Sequence, residues 1–353
     1  MVAELPPSAP SRRDREDALA GLLLGTALGD ALGLPAEGLN PTAVRRRFGA
    51  PERFHLLGRR GFVSDDTEQS ALVAQCIAQA KSAGQGIDVE RCALLFRRAL
   101  VGWFLRLPFG IGMATLKACL RALLGFRMPG VRSAGNGAAM RAPVVGAAFA
   151  DQPTLRRQLG RRLAELTHRD PRAVEGALFA AEVAAHASVA GPHADRRAML
   201  GCALEVVRDE SLRTSLARAL EFAEAGGDEA PVELGSSGFV LHTLALASFC
   251  FARWGDRPLL ALQKAIAAGG DADTNAAIVG AWCGALGGAS SLPAGLLTLI
   301  DDGLFGPSHL RALAAALAQE KAPPAWSATR ALLRNLLLYP VILAHGLRRL
   351  LPS

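Results

Sequence analysis

The chain has 353 residues, of which 50% are hydrophobic and 20% are charged. This composition excludes a disordered chain, which buries too few apolar side chains, and a collagen-like chain, which is dominated by glycine and proline. The formal net charge is +7, and arginine carries nearly all of the positive charge. The arginine pairs are scattered and are not interleaved with aromatic residues, so we expect no sequence-specific nucleic-acid binding.

The N-terminal segment 1–17 is rich in proline and arginine and lacks the apolar stretch of a signal peptide. We therefore expect a disordered leader over 1–17 and a cytoplasmic protein. The 6 cysteines are spread along the chain without a Cys-x-x-Cys pair. This spacing predicts buried, reduced thiols and not a zinc or redox site.

From residue 18 onward, apolar residues recur at helical spacing, and no segment alternates as a half-buried strand does. We predict an all-α fold. In the first predicted helix, 18–33, glycine stands at every fourth position, namely Gly21, Gly25, Gly29 and Gly33. That stripe predicts close packing against another helix. Asp30 in the same helix would be costly to bury unpaired, so we expect it to cap or orient a neighbouring group.

Two acidic clusters each precede an apolar helix: Ser-Asp-Asp-Thr-Glu at 64–68 and Gly-Gly-Asp-Ala-Asp-Thr-Asn at 269–275. A helix N-cap explains either cluster alone, because such side chains accept hydrogen bonds from orphan N–H groups. A cap needs only one acceptor, however, and adjacent carboxylates repel each other. Carboxylate and hydroxyl oxygens suit Mg²⁺, Mn²⁺ or Ca²⁺. The pattern favours metal binding by both clusters together over two independent caps.

Between the clusters, residues 133–141 form a glycine-rich turn that leads into an alanine-rich helix. Glycines let the backbone approach a ligand and a helix N-terminus favours phosphate, so the segment is either an anion-binding turn or a plain loop.

The tail beyond residue 330 contains a nine-residue apolar run, 336–344, interrupted by Pro340. A bilayer needs about 20 residues, so we expect no transmembrane segment. We predict a helix docked on the protein, with a weak contact to a membrane surface or a partner as the alternative.

In this order, the segments resemble the ADP-ribosylglycohydrolase family, which includes the dinitrogenase reductase-activating glycohydrolase and the ADP-ribosyl-acceptor hydrolases. The resemblance runs from residue 18 to about 288. The motifs that carry it are 25–33 with Glu37, 64–67, 135–141, Thr167-His168, 235–240 and 270–275.

The resemblance implies a compact orthogonal bundle of helices over 18–306, with a binuclear Mg²⁺ or Mn²⁺ centre that helps to cleave the bond between ADP-ribose and an acceptor. The implied metal ligands are Ser64, Asp65, Asp66, Asp271, Asp273 and Thr274. The implied catalytic residues are Asp66 or Asp273 as the base and Glu37 beside the metals. The implied substrate-binding residues are Gly135, Asn136, Gly137, His168 and Phe239. Residues 307–353 are then a helical C-terminal extension without a counterpart.

Two of these substrate-binding residues have a simpler explanation. Relatives line the cleft with tyrosine, but the single tyrosine here is Tyr339 in the tail. Phe239 either takes the place of that tyrosine or is an ordinary core residue. His168 either lines the ribose pocket or bonds to its own backbone at a helix start.

Two other functions stay open at this point: an inactive module of the same fold that binds ADP-ribose or a toxin, and a hydrolase of another ribosyl conjugate. Because all four aspartates, both hydroxyls and Glu37 are present, the sequence favours the enzyme. We expect a monomer that acts on an ADP-ribosylated protein or a small ADP-ribosyl conjugate.

Overall fold

The structure is a computed structural model that describes residues 12–84, 86–226 and 230–350. In those ranges it contains 17 α-helices and four short 3₁₀ helices, and extended segments meet only in isolated β-bridges. The all-α prediction is confirmed. The helices are α1 (Arg12–Gly33), α2 (Pro41–Phe48), α3 (Asp65–Lys81), α4 (Val89–Phe104), α5 (Met113–Leu123), α6 (Ala142–Ala148), α7 (Pro153–Glu165), α8 (Pro171–Ala190), α9 (Arg196–Ala203), α10 (Glu210–Ala225), α11 (Ala230–Leu234), α12 (Val240–Trp254), α13 (Pro258–Ala267), α14 (Ala272–Gly287), α15 (Ala294–Leu297), α16 (Pro307–Gln319) and α17 (Ala328–Leu350).

Helix α1 begins earlier than the sequence pattern predicts. Its first turns are fixed by polar contacts: Arg15 Nη2 donates to the carbonyl oxygen of Ala148 at 2.8 Å, and Asp17 Oδ1 accepts from the Ala289 amide at 3.2 Å. The expectation of a disordered leader is therefore corrected for residues 12–17. Its remaining part, 1–11, lies outside the described residues.

The glycine stripe of α1 packs directly against the backbone of α14. A Cβ atom added at Gly25 would lie 2.0 Å from the carbonyl oxygen of Gly280, and one added at Gly284 would lie 1.9 Å from that of Gly21. At the other end, Gly33 faces Ala272. The helices are therefore antiparallel, and the start of α14 lies beside the end of α1. The predicted close helix packing is confirmed.

Two stretches are long and apolar enough to cross a bilayer, Asp14–Ala36 and Pro171–Ala190. The apolar window of the first is 100% buried within the protein, and that of the second is 72% buried. Burial of this kind is what core helices show, and length with hydropathy alone is weak support for a membrane span. Both stretches are core helices of this fold.

The cysteine prediction is confirmed with one exception. All six thiols are free, and five of them are buried, but Cys202 on α9 is exposed. The predicted docking of the tail also holds, because Leu338 of α17 is buried in an apolar cluster. Helix α17 is 23 residues long and contains Pro340 in its interior, so the proline does not interrupt it.

Candidate active site

The fold brings the two acidic clusters together. Asp65 and Asp66 lie in the first turn of α3, and Asp273 lies in the first turn of α14. Thr274 Oγ1 donates to Asp66 Oδ2 at 3.1 Å, although 208 residues separate them along the chain. The predicted convergence of both clusters on one site is therefore observed.

The N-cap alternative does not account for these side chains. Ser64 and Asp271 occupy the N-cap positions of α3 and α14, and neither side chain makes a capping hydrogen bond. Other helices in the described part of the chain are capped in the usual way, such as α4 by Asp88 and α10 by Asp209. The N-cap side chains of α3 and α14 therefore do not act as caps, whereas Asp273 Oδ1 accepts from the first-turn amide of Thr274 at 3.0 Å.

The clustered carboxylates repel one another in a buried setting. Burial is the largest cause that raises the pKa values of Asp65, Asp66 and Asp273 well above the usual range, and Asp271 raises all three further. Glu37 adds to the rise for Asp65 and Asp273. A bound cation would reverse these shifts, because positive charge favours the ionised carboxylates.

The donor set fits a hard divalent cation. Asp66 Oδ1 is buried and has no hydrogen-bond partner among the described residues, and such an atom is costly unless something binds it. As they stand, no three His, Cys, Asp or Glu side chains of the described ranges converge tightly enough to hold an ion alone. The hydroxyls of Ser64 and Thr274 supply further oxygen donors, so the chemistry of the donor set fits such an ion.

Asp30 fixes the start of α3. Its buried carboxylate accepts hydrogen bonds from the amide and hydroxyl of Ser64, the latter at 2.8 Å, and from the amide and hydroxyl of Thr67. Burial is the largest influence on its pKa and raises it to about 6, against the opposing effect of these four bonds. The prediction that Asp30 orients a neighbouring group is confirmed.

Glu37 follows the 3₁₀ turn after α1, in a loop that is joined to the second cluster. The Gly38 amide donates to the carbonyl oxygen of Gly270 at 2.7 Å, and the Gly270 amide donates to that of Leu39 at 2.8 Å. Because Glu37 influences the pKa values of Asp65 and Asp273, it lies beside both clusters, as the resemblance implies.

Two residues that support the site were missed by sequence reasoning. Gln69 Nε2 donates to Asp65 Oδ2 at 3.0 Å, and the buried guanidinium of Arg141 donates to Gln69 Oε1 at 2.8 Å. The position of Gln69, four residues after Asp65 on one helix, is a signal that could have identified it. Arg141 belongs to a quoted motif, but nothing in its spacing marks it as buried.

His168 lies beneath the glycine-rich turn. Burial, with a smaller contribution from Arg141, lowers its pKa to about 3, so the imidazole is neutral. Thr167 Oγ1 accepts a hydrogen bond from Arg141 at 2.7 Å and lies 2.8 Å from His168 Nδ1. The Thr167 hydroxyl also donates to the carbonyl oxygen of Ala164 at 3.4 Å. The Nδ1 partner of His168 is a side chain, so the backbone-bonding alternative is wrong.

The turn itself is shaped by contact with that histidine. A Cβ at Gly135 would lie 3.4 Å from His168 Nε2, and one at Gly137 would lie 3.0 Å from its Cε1. The Gly135 and Asn136 amides already donate to Ser133 Oγ and the Gly238 carbonyl. The amides of Gly135 and Asn136 are therefore engaged within the protein, and contact of Gly135, Asn136 and Gly137 with the substrate stays a prediction.

Asn136 and Phe239 connect the turn to the acidic site and to a cavity. Asn136 Nδ2 donates to Asp271 Oδ2 at 2.7 Å. Phe239 pairs with Gly135 in a β-bridge and is only partly buried. Its ring meets His242 edge-on at 5.2 Å and lines an open cavity of about 560 Å³. Phe239 thus packs half-buried against the main core, and its contact with the substrate stays a prediction.

Comparison with known proteins assigns this fold to a family. A family model described as ADP-ribosylglycohydrolase matches residues 11–325. The chain is 32% identical over 282 residues to an uncharacterized protein of Archaeoglobus fulgidus, which covers 77% of this chain and 88% of that protein. It is 26% identical over 307 residues to ADP-ribosyl-[dinitrogen reductase] glycohydrolase of Rhodospirillum rubrum. That alignment covers 83% of this chain and 92% of the relative.

A solved structure described as an ADP-ribosylglycohydrolase-related protein complex is similar with a TM-score of 0.66 and 30% identity, covering 87% of this chain and 99% of that one. These matches define an all-helical class of hydrolases that act on ADP-ribosyl conjugates. The chain belongs to the ADP-ribosylglycohydrolase family, as its ordered motifs indicate. The matched region includes α16, beyond the predicted boundary at 306, whereas α17 lies outside it.

Proposed function

We propose that this protein is a metal-dependent hydrolase that releases ADP-ribose from a modified protein side chain or a small conjugate. The observation that carries the proposal is the convergence of three buried aspartates and the half-buried Asp271 with Glu37 beside the glycine-rich turn. The proposal keeps the expectation of a cytoplasmic monomer.

Two Mg²⁺ or Mn²⁺ ions are the proposed cofactors. Their ligands would be Ser64, Asp65, Asp66, Asp271, Asp273 and Thr274. When bound, such ions offset the carboxylate repulsion and supply Lewis-acid polarisation of oxygen groups. Supporting this assignment, the hydroxyl of Ser64 donates its proton to Asp30 and keeps lone pairs for a ligand.

The side chains of this site have distinct tasks in the proposed reaction. Asp66 or Asp273 would accept a proton from the attacking water, and the Asp66 Oδ1 atom, which has no hydrogen-bond partner among the described residues, supports that role. His168, as a neutral imidazole, would line the ribose pocket. Gly135 and Gly137 let the substrate approach the backbone closely, and Phe239 offers an aromatic face to the adenine.

The decisive experiment incubates the purified protein and Mg²⁺ with arginine-, serine- and aspartate-linked ADP-ribosyl substrates. We expect release of ADP-ribose from at least one of them and none after chelation. Release that persists in chelator would contradict the metal requirement. Binding of ADP-ribose without release from any substrate would instead favour the inactive binding module.

A further inference from the structure

Helix α17 rests on three segments that each lead into the acidic site. They are residues 34–36, 62–63 and 106–109, which directly precede Glu37, Ser64 and Gly110. Gly110 belongs to the site, because a Cβ there would lie 2.7 Å from Asp65 Oδ1. Leu338 of α17 is buried with one residue from each segment, namely Leu34, Phe62 and Phe109. A single helix therefore contacts all three approaches to the site.

Polar side chains of α17 bind the same segments through their backbone carbonyl groups. Asn335 Nδ2 donates to Arg106 at 2.9 Å, the Tyr339 hydroxyl donates to Pro108 at 3.2 Å, and His345 Nε2 donates to Pro35 at 3.0 Å. These bonds fix the rotation of the helix about its own axis. They also aim one further side chain, that of Arg334, toward the start of α3.

Arg334 binds the residues on both sides of the segment 64–67. Its Nη2 donates to the carbonyl oxygen of Val63 at 2.7 Å, and its Nη1 pairs with Oε1 of Glu68. The other carboxylate oxygen of Glu68 accepts from Trp103 Nε1 at 2.6 Å, and Glu68 is only 2% exposed. The guanidinium centre lies 5.4 Å from the ring centroid of Phe109. The contact with Phe109 thus helps to hold the Arg334 side chain in this position.

This arrangement matters for the candidate ligands in two ways. Glu68 is a buried carboxylate two residues after Asp66, and without a cationic partner its charge would add to the repulsion in the cluster. The bond to Val63 fixes the backbone just before Ser64. Groups that hold metal ligands in place without touching the metal strongly affect metal affinity.

We propose that Arg334 is a positioning residue for the metal-binding segment 64–67. It holds the segment from both flanks and neutralises Glu68, and it touches neither the cation nor the substrate. The inference rests on the proposed metal site. Because residue 334 lies beyond the matched region 11–325, this positioning residue comes from a part of the chain that the family model does not cover.

The test measures Mg²⁺ binding by the metal-free, full-length protein with isothermal titration calorimetry. We expect Arg334→Ala to weaken the affinity by about 10- to 100-fold, as loss of a group behind the metal ligands does. The Mg²⁺ affinity of Arg334→Lys should lie between those of the wild type and Arg334→Ala, because an ammonium keeps the charge but lacks the forked donor geometry.

Two control variants separate positioning from general docking of the helix. Arg330→Ala removes an exposed arginine of the same helix, and Tyr339→Phe removes a docking hydrogen bond of that helix to Pro108. We expect both to bind Mg²⁺ like the wild type. Unchanged affinity in Arg334→Ala would overturn the proposal, and so would an equal loss in Tyr339→Phe.

Circular dichroism shows first whether each variant folds. Should Arg334→Ala fail to fold, Arg334→Lys decides, and wild-type affinity in that variant overturns the proposal. The readout also separates this inference from the proposed reaction. A wild-type protein that releases no ADP-ribose, but whose Mg²⁺ affinity depends on Arg334, refutes the hydrolase function and leaves the positioning role standing.

Discussion

At the scale of single residues, Asp30 and Asp66 show how two buried carboxylates of one site differ in task. Asp30 accepts four hydrogen bonds from Ser64 and Thr67. Asp66 accepts one bond from Thr274, and its Oδ1 is without a partner in the described part of the chain. A carboxylate with its bonds satisfied fixes structure, whereas an unsatisfied one offers an oxygen to a ligand.

The double variant Asp65→Asn/Asp273→Asn tests the acidic cluster. We expect release of ADP-ribose to fall to background, because two proposed ligands lose their charge. We also expect the melting temperature of the metal-free protein to rise, since burial and mutual repulsion destabilise the ionised carboxylates. Asp88→Asn, at an ordinary N-cap, should leave both quantities near wild type. Wild-type release by the double variant would contradict the proposed site.

His168 should make the protein sensitive to acid. Burial and Arg141 lower its pKa from 6.5 to about 3, so between these values the unfolded chain binds more protons than the folded one. The free energy of unfolding therefore falls as pH drops through that window. We expect His168→Gln to lose less stability between pH 7.5 and 5 than the wild type, as measured by urea unfolding.

The exposed His193 provides the control for this pH effect, and His193→Gln should follow the wild type. The carboxylates titrate in all three proteins, so the comparison isolates His168. An acid loss of stability that is identical in all three would contradict the buried neutral imidazole.

The acidic residues of the candidate site and the orienting role of Asp30 were predictable from sequence, but the distant residues that hold the site were not. Asp65, Asp66 and Asp273 stand in short acidic motifs whose excess of charge signals a ligand. Arg334 touches Glu68 across 266 residues of chain, and no local pattern carries such a contact. Gln69 is intermediate, since its helical spacing from Asp65 is visible but not distinctive.

At the scale of secondary-structure elements, the α1–α14 pair determines where the acidic clusters meet. Glycine permits carbonyl contact along the whole pair, so the end of α1 and the start of α14 are placed together. The stripe was predictable because glycine at every fourth residue lies on one helix face. The identity of α14 as its partner was not, since α14 follows far along the chain.

Gly25→Ala tests this contact. The new Cβ would meet the Gly280 carbonyl oxygen at 2.0 Å, and two packed backbones cannot yield as a flexible side chain does. We expect a loss of about 1–3 kcal/mol in the free energy of unfolding, measured with urea. Gly201→Ala, in a helix with open space around it, should instead stabilise by up to about 1 kcal/mol. Equal effects of the two variants would argue against the tight packing.

Helix boundaries were the least predictable feature, because tertiary contacts decide them. Arg15 and Asp17 extend α1 into a segment whose composition suggested disorder. Pro340 removes a backbone donor and costs about 3 kcal/mol in a helix interior. Helix α17 continues through it because Leu338 and Tyr339 on one side and His345 on the other are attached to the body of the protein.

At the scale of the whole molecule, metal binding should raise the stability of the fold. Mg²⁺ binds the folded site and not the unfolded chain, so a free concentration of about 100 times Kd should add about 2.7 kcal/mol. We expect a higher melting temperature with MgCl₂ than with EDTA at matched ionic strength. The Asp65→Asn/Asp273→Asn variant should show no such difference, and an equal rise there would point to binding elsewhere.

The wide separation of the paired residues has a consequence for synthesis. The segment 64–67 emerges from the ribosome early, its partner Thr274 follows 208 residues after Asp66, and Arg334 follows later still. A growing chain therefore carries the acidic motif long before the groups that complete it. The proposed metal site would form only after residue 334 has been synthesised, so a chain that stops before this residue would lack its positioning contact.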